Sequence, residues 1–250
     1  MSAAQGSRWD LLAGPFRELL NGLDAVLHLR VRSLLLVAAG LVAGWWIYVP
    51  AHELLHALGC WLSGGEVSRL EIDPIYGARW LAQLFPFVTP GGEYAGRLAG
   101  FDTHGSDWVY WMTDLAPFAL ALFPGFWGLR RAARAGWAVA FGASLPFALA
   151  PLLSLTGDAY EMGSLAVVHL PMWRAQRELI GDDLTAKLAE ILLLSDPGKL
   201  AGVVAAALIG LLWALCWISI GRALATVLGE PPLSAGPAAP RAPAGITLGS

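Results

Sequence analysis

His52-Glu53-Leu54-Leu55-His56 is the stretch of this chain whose residue types and spacing describe a reaction. Histidines four apart sit one helical turn apart on one face, where both imidazoles can reach a single ion. Glu53, beside the first of them, can hold a metal-bound water and take its proton, the His-Glu-x-x-His arrangement of zinc hydrolases. With 5 His in 250 residues, chance supplies such a match at roughly 0.004 per chain. The competing reading is a pair of histidines packed in a helix interface, with the glutamate bonded to one of them. The surroundings weigh against it. Between Arg32 and Glu66, Glu53 is the only Asp, Glu, Lys or Arg, and a carboxylate in so apolar a run is costly unless it functions.

Two histidines leave a catalytic zinc one protein ligand short, its fourth position being kept for water. Asp158, Glu161, Asp114, His169 and His104 are the candidates. Asp158 follows a proline-distorted apolar stretch, and its alternative role is a turn or cap residue after Gly157. Asp114, one turn before Pro117, could pair with Arg97 or bond the site. Glu161, three residues after Asp158, reads as a carboxylate supporting a ligand or binding substrate, or as an interfacial residue. His104 and His169 fit exposed positions better than ligation. Cys60, four residues after His56, could face the same site or serve as a small apolar packing residue.

The elements that must position these residues belong to a membrane protein. The chain is 56% hydrophobic and only 14% charged, with a mean hydropathy of +0.58, which marks a polytopic membrane protein. A net charge of −3 gives no reason to expect nucleic acid. Cys60 and Cys216 lie in apolar runs, so no disulfide framework is implied, and no cleavable signal peptide is evident. The expected fold is all-α and multi-pass, with about four transmembrane helices over 33–63, 108–129, 136–156 and 201–221. Pro50 should kink the first span, or the span should tilt. Residues 1–32 read as an amphipathic segment, 33–221 as the membrane domain, and 222–250 as a disordered Pro/Ala-rich tail.

Between the first two spans, residues 66–73 alternate like a strand and 74–77 look like a turn. Residues 80–88 are apolar but too short to span, which suits a re-entrant or interfacial segment. Gly91, Gly92, Gly96 and Gly100 read as a flexible link, and 172–199 as a charged extramembrane segment. Arg30, Arg32, Arg130, Arg131, Arg134 and Arg222 fall on one side of a four-span arrangement, placing both chain ends in the cytoplasm. The same crossing order collects the His-Glu-x-x-His turn, Asp114 and Asp158 at the opposite face.

On these residues the chain resembles the site-2 protease family of intramembrane zinc metalloproteases. The likeness rests on four features: His52 to His56 within a membrane helix, Gly64-Gly65-Glu66-Val67 leading into a strand-like loop, Ala150-Pro151-Leu152-Leu153-Ser154-Leu155-Thr156 ending in Gly157-Asp158, and a three-helix catalytic core over roughly 33–165. Thr156-Gly157-Asp158-Ala159 departs from the family's usual Asn-Pro and Leu-Asp-Gly pattern. The resemblance implies zinc held by His52, His56 and Asp158, with Glu53 as general base, and peptide-bond cleavage in transmembrane protein substrates. Membrane lipid is then the surrounding medium, and oligomeric state stays open. A bacterial inner membrane suits the Ala/Gly/Leu/Arg-heavy composition. Two other readings share the ligands: a non-proteolytic membrane binding or scaffold protein, and a zinc hydrolase of a lipid or small amide.

Overall fold

In the computed structural model, which describes residues 9–27, 31–92, 94–181, 183–194 and 196–234, the chain opens with two helices, α1 (Trp9–Leu27) and α2 (Val31–Ser63). α2 runs unbroken for 33 residues with Pro50 inside it, roughly 50 Å at about 1.5 Å per residue and so longer than a hydrocarbon core of about 30 Å. Gly64 ends it at φ +100°, a conformation that only glycine adopts without strain.

The chain then doubles back. Strand β1 (Glu66–Ile72) is followed by a 3-10 turn at Pro74–Tyr76, helix α3 (Ala78–Leu84), β2 (Val88–Pro90) and β3 (Gly96–Asp102). The sheet order is β2-β1-β3, with β2 parallel and β3 antiparallel to β1. The alternation over 66–73 has its cause here: Leu70 and Ile72 are buried with Val88 and with Ala78 and Leu81 of α3. Trp46, midway along α2, donates its indole N–H to the carbonyl of Ile75. The β1 turn therefore reaches back about 25 Å from the end of α2, to its middle. Ile75, Trp80 and Leu84 are exposed and apolar alongside. The re-entrant segment expected over 80–88 is thus a short helix and a strand. Gly96 and Gly100, expected in a flexible link, lie within β3 instead, where the strand comes close to Glu53 and to Ser68 respectively.

α4 (Asp107–Leu115), a 3-10 turn at Ala116–Phe118, a wide turn at Ala121–Gly125 and α5 (Phe126–Arg134) make a second long apolar rod. It is broken at Phe123, whose backbone is extended. α6 (Ala138–Ala148), α7 (Ala150–Leu153) and α8 (Asp158–Val168) follow, then a 3-10 turn at Arg177–Leu179, α9 (Leu184–Leu194) and α10 (Pro197–Val227). Among the described residues, three helices are long and apolar enough to cross a membrane: Val31–Ser63, Asp107–Arg134 and Pro197–Val227. The span expected over 136–156 is two shorter helices. Pro151 enters at the first turn of α7, where its missing N–H and ring end the preceding helix.

Glycine brings the helices into direct backbone contact. A Cβ on Gly40 would lie 2.0 Å from the carbonyl oxygen of Val139, and one on Gly142 would lie 2.0 Å from that of Val37; this seam joins α2 to α6. Gly163 and Gly210 make the same kind of contact between α8 and α10, with Ala206 and Ala159. Small residues at such crossings let helices gain close packing that bulkier side chains would prevent.

At the far end of the bundle, α1 packs on α5, α6 and α10. Glu18, only 2% exposed, accepts from Arg130 and from Arg222. Glu230, just past α10, pairs with Arg131 and Arg134. The chain expected to be a disordered tail from 222 is therefore helical to Val227 and packed through Leu233, whose carbonyl accepts from the Asn21 side chain. Its remainder, 235–250, lies outside the described residues, as do 1–8 at the other end.

Candidate metal centre

α2 brings His52 and His56 to one buried face, and the first turn of α8 brings Asp158 against them. His52 Nε2 and His56 Nε2 are 3.2 Å apart. Asp158 Oδ2 lies 3.2 Å from His52 Nε2, and its Oδ1 lies 3.5 Å from His56 Nε2. Among the described residues these three form the group that could hold a metal ion. The cap role considered for Asp158 does not apply: the α8 cap is Gly157, without a side-chain cap bond.

The protonation pattern explains why such a cluster calls for a cation. His56 Nδ1 is 2.9 Å from the backbone carbonyl oxygen of Thr113. A carbonyl only accepts, so Nδ1 carries the hydrogen and neutral His56 turns a lone pair inward at Nε2. Asp158 Oδ2 is buried and has no hydrogen-bond partner among the described residues. An unmatched acceptor in an apolar interior is expensive. Lone pairs facing one another at these distances are satisfied by a shared positive charge.

Glu53 lies on the same turn and lines the adjoining cavity, whose volume is about 680 Å³. Its carboxylate arm rests on β3: a Cβ added to Gly96 would come within 2.3 Å of Glu53 Cγ and 2.6 Å of Cδ. Residues 96–99 line the cavity consecutively. A strand whose side chains alternate between faces does that by presenting its edge. β1 has neighbours on both sides, so among the described residues the edge strand at this cavity is β3.

The opposite wall is α4 and α8. Tyr110 donates to Glu161 across them, O to O 2.6 Å, and Asp114 and Glu161 both face the cavity. α4 thereby contributes Thr113 to hold His56 and two residues to the wall. The roof comes from the segment expected to be merely extramembrane: Asp183, Lys187 and Glu190 line the same cavity. Asp183 begins α9 and accepts from the Thr185 hydroxyl and the Thr185 and Ala186 N–H groups. Those bonds, the hydroxyl's first, hold its carboxyl below the usual carboxylate range. Leu184 N–H ties the start of α9 to Thr156 O at 2.9 Å, two residues before Asp158.

The other candidates sit elsewhere. His104 is half exposed beside Asp102 and Glu66, and His169 pairs with Asp107 at 3.3 Å. Cys60 is buried, its Sγ 3.7 Å from the carbonyl of Glu66, where it packs under the turn that ends α2. Comparison of the chain with protein-family models, with characterised proteins and with solved structures found no match.

Tyr48 was not among the residues singled out from the sequence, although the signal was available. It lies four residues before His52, on the same helical face, and its hydroxyl is 3.0 Å from His52 Nδ1. Thr113, Tyr110, Lys187 and Glu190 reach the cavity only through tertiary packing, and no local pattern marks them.

Proposed function

We propose that this protein is a multi-pass integral membrane zinc metallopeptidase that hydrolyses peptide bonds of transmembrane substrates, in a bacterial inner membrane, with the site-2 proteases as its kin. The observation that carries the proposal is the close approach of two imidazole nitrogens and one carboxylate. A tetrahedral ion with bonds of about 2.0–2.1 Å holds its ligands roughly 3.3–3.4 Å apart. The imidazole Nε2 atoms are 3.2 Å apart, His52 Nε2 is 3.2 Å from Asp158 Oδ2 and His56 Nε2 is 3.5 Å from Asp158 Oδ1, and one ligand atom from each residue lies within 4.8 Å of the other two. Two imidazoles and one carboxylate are also a usual donor set for catalytic zinc.

Zinc, when bound, supplies a Lewis acid that polarises the scissile carbonyl and makes water a stronger acid. The chain's own residues do the rest. Glu53 takes a proton from the attacking water and delivers it to the departing amide nitrogen, so the C–N bond breaks to give a carboxylate and an amine. Gly96 leaves room for the Glu53 arm, and β3 sets its direction. The β3 edge offers backbone N–H and C=O groups to an extended substrate, which suits a helix that must unwind before its carbonyls are accessible. Tyr110 with Glu161, and the α9 residues Lys187 and Glu190, face the substrate from the other side.

The test is cleavage of a generic single-span transmembrane protein by zinc-loaded protein in lipid vesicles. Wild type should cleave it, and Glu53→Gln should retain zinc without cleaving. Equal cleavage by both would overturn the assignment of Glu53. Hydrolysis of a lipid ester or small amide in place of the polypeptide would transfer the same site to a different substrate class.

A further inference from the structure

We infer that Tyr48 is a positioning residue for the metal centre: its hydroxyl can receive the Nδ1 hydrogen of His52 and so supports the tautomer in which Nε2 can bind an ion. The inference rests on the metal reading above.

The two histidines are held differently. The Thr113 carbonyl can only accept, so His56 has a single tautomer. His52 Nδ1 faces a hydroxyl, which can give or take a hydrogen, so its tautomer depends on what Tyr48 does. The position of that hydroxyl is well determined. Tyr48 is 4% exposed; its ring packs edge-on against Phe147 at 5.8 Å and tilted against Trp45 at 5.4 Å. Because Tyr48 and His52 lie one turn apart on α2, a single helix sets their geometry.

Removing the hydroxyl changes the balance in one direction. A Nδ1 hydrogen would then face a phenyl ring, a buried donor without an acceptor. The other tautomer places the hydrogen on Nε2, 3.2 Å from Asp158 Oδ2, where it can form a hydrogen bond inside the site. That bond occupies both ligand atoms and competes with the ion. Partners one step beyond a metal's ligands typically change affinity by about 10–100-fold.

The experiment is a zinc titration of the full chain in detergent, stripped of metal and read against a chromophoric chelator. Melting of the metal-free protein is measured alongside. Tyr48→Phe should bind zinc about 10–100-fold more weakly than wild type while melting at the same temperature, since the ring is kept. Phe147→Leu, which loosens the ring's packing and leaves the hydroxyl, should keep wild-type affinity. Wild-type affinity in Tyr48→Phe overturns the inference. So does early melting of metal-free Tyr48→Phe, or an equal loss in Phe147→Leu, because either makes Tyr48 a packing residue. A wild-type chain that binds no zinc overturns the metal reading itself, and is a different result from any of these.

Discussion

Glu53 is placed by a residue with no side chain. Gly96 lies so close that any Cβ would collide with the Glu53 arm, while the ligands are set by α2 and α8. Gly96→Ala should therefore lower peptide cleavage by about 100-fold, the cost of displacing a reacting group by about an ångström, and leave zinc content at the wild-type value. A loss of zinc in this variant would mean that β3 supports the ligands as well. His52, Glu53 and His56 were legible in the sequence because a helix repeats locally, and residues four apart must share a face. Asp158 was legible only in part: the crossing order put it at the right end, but its contact with the histidines depends on how α8 packs. Gly96 was read as part of a flexible link, since nothing in the sequence shows what a glycine is making room for.

At the level of elements, backbone contact between helices limits what the sequence can change. The α2–α6 seam has Gly40 and Gly142 each against a carbonyl oxygen of the other helix. Gly142→Leu should lower the melting temperature in detergent by the equivalent of about 1–3 kcal/mol or more, the usual cost of overpacking. The opposite end of the bundle is held by charge. Arg130 is 1% exposed and Glu18 2%, and breaking such a pair from one side strands a buried cation. Glu18→Gln should cost about 3–5 kcal/mol, read as early melting. Its zinc content at low temperature should stay unchanged, because the cluster and the metal centre share no residues. Strand β1 was legible from its alternation, and the long spans from their hydropathy. The span expected over 136–156 was not, because hydropathy counts Pro151 as an apolar residue while its ring ends the helix that runs to Ala148.

On the scale of the whole molecule, α2 and the Asp107–Arg134 rod run in opposite directions, so the start of α2 and the end of α5 share one end. Arg130 and Arg222 meet there on Glu18, as the grouping of basic residues in the sequence anticipated. The metal centre lies on the other side of the middle of α2. Cysteines placed at Arg131 and Thr103 should consequently react with a membrane-impermeant thiol reagent from opposite sides of sealed vesicles. Labelling from the same side would contradict the arrangement of spans. The roof of the cavity was the least legible feature of all, since α9 is a short, mostly apolar helix and only the fold brings Asp183, Lys187 and Glu190 to the cavity.

The zinc content of purified protein decides whether His52, His56 and Asp158 hold one metal ion beside Glu53. Wild type and Glu53→Gln should carry one zinc per chain, with His56→Ala and Asp158→Ala carrying far less. Zinc retained at the wild-type level in Asp158→Ala would remove Asp158 from the ligand set, and its absence from freshly prepared wild type would remove the metal centre.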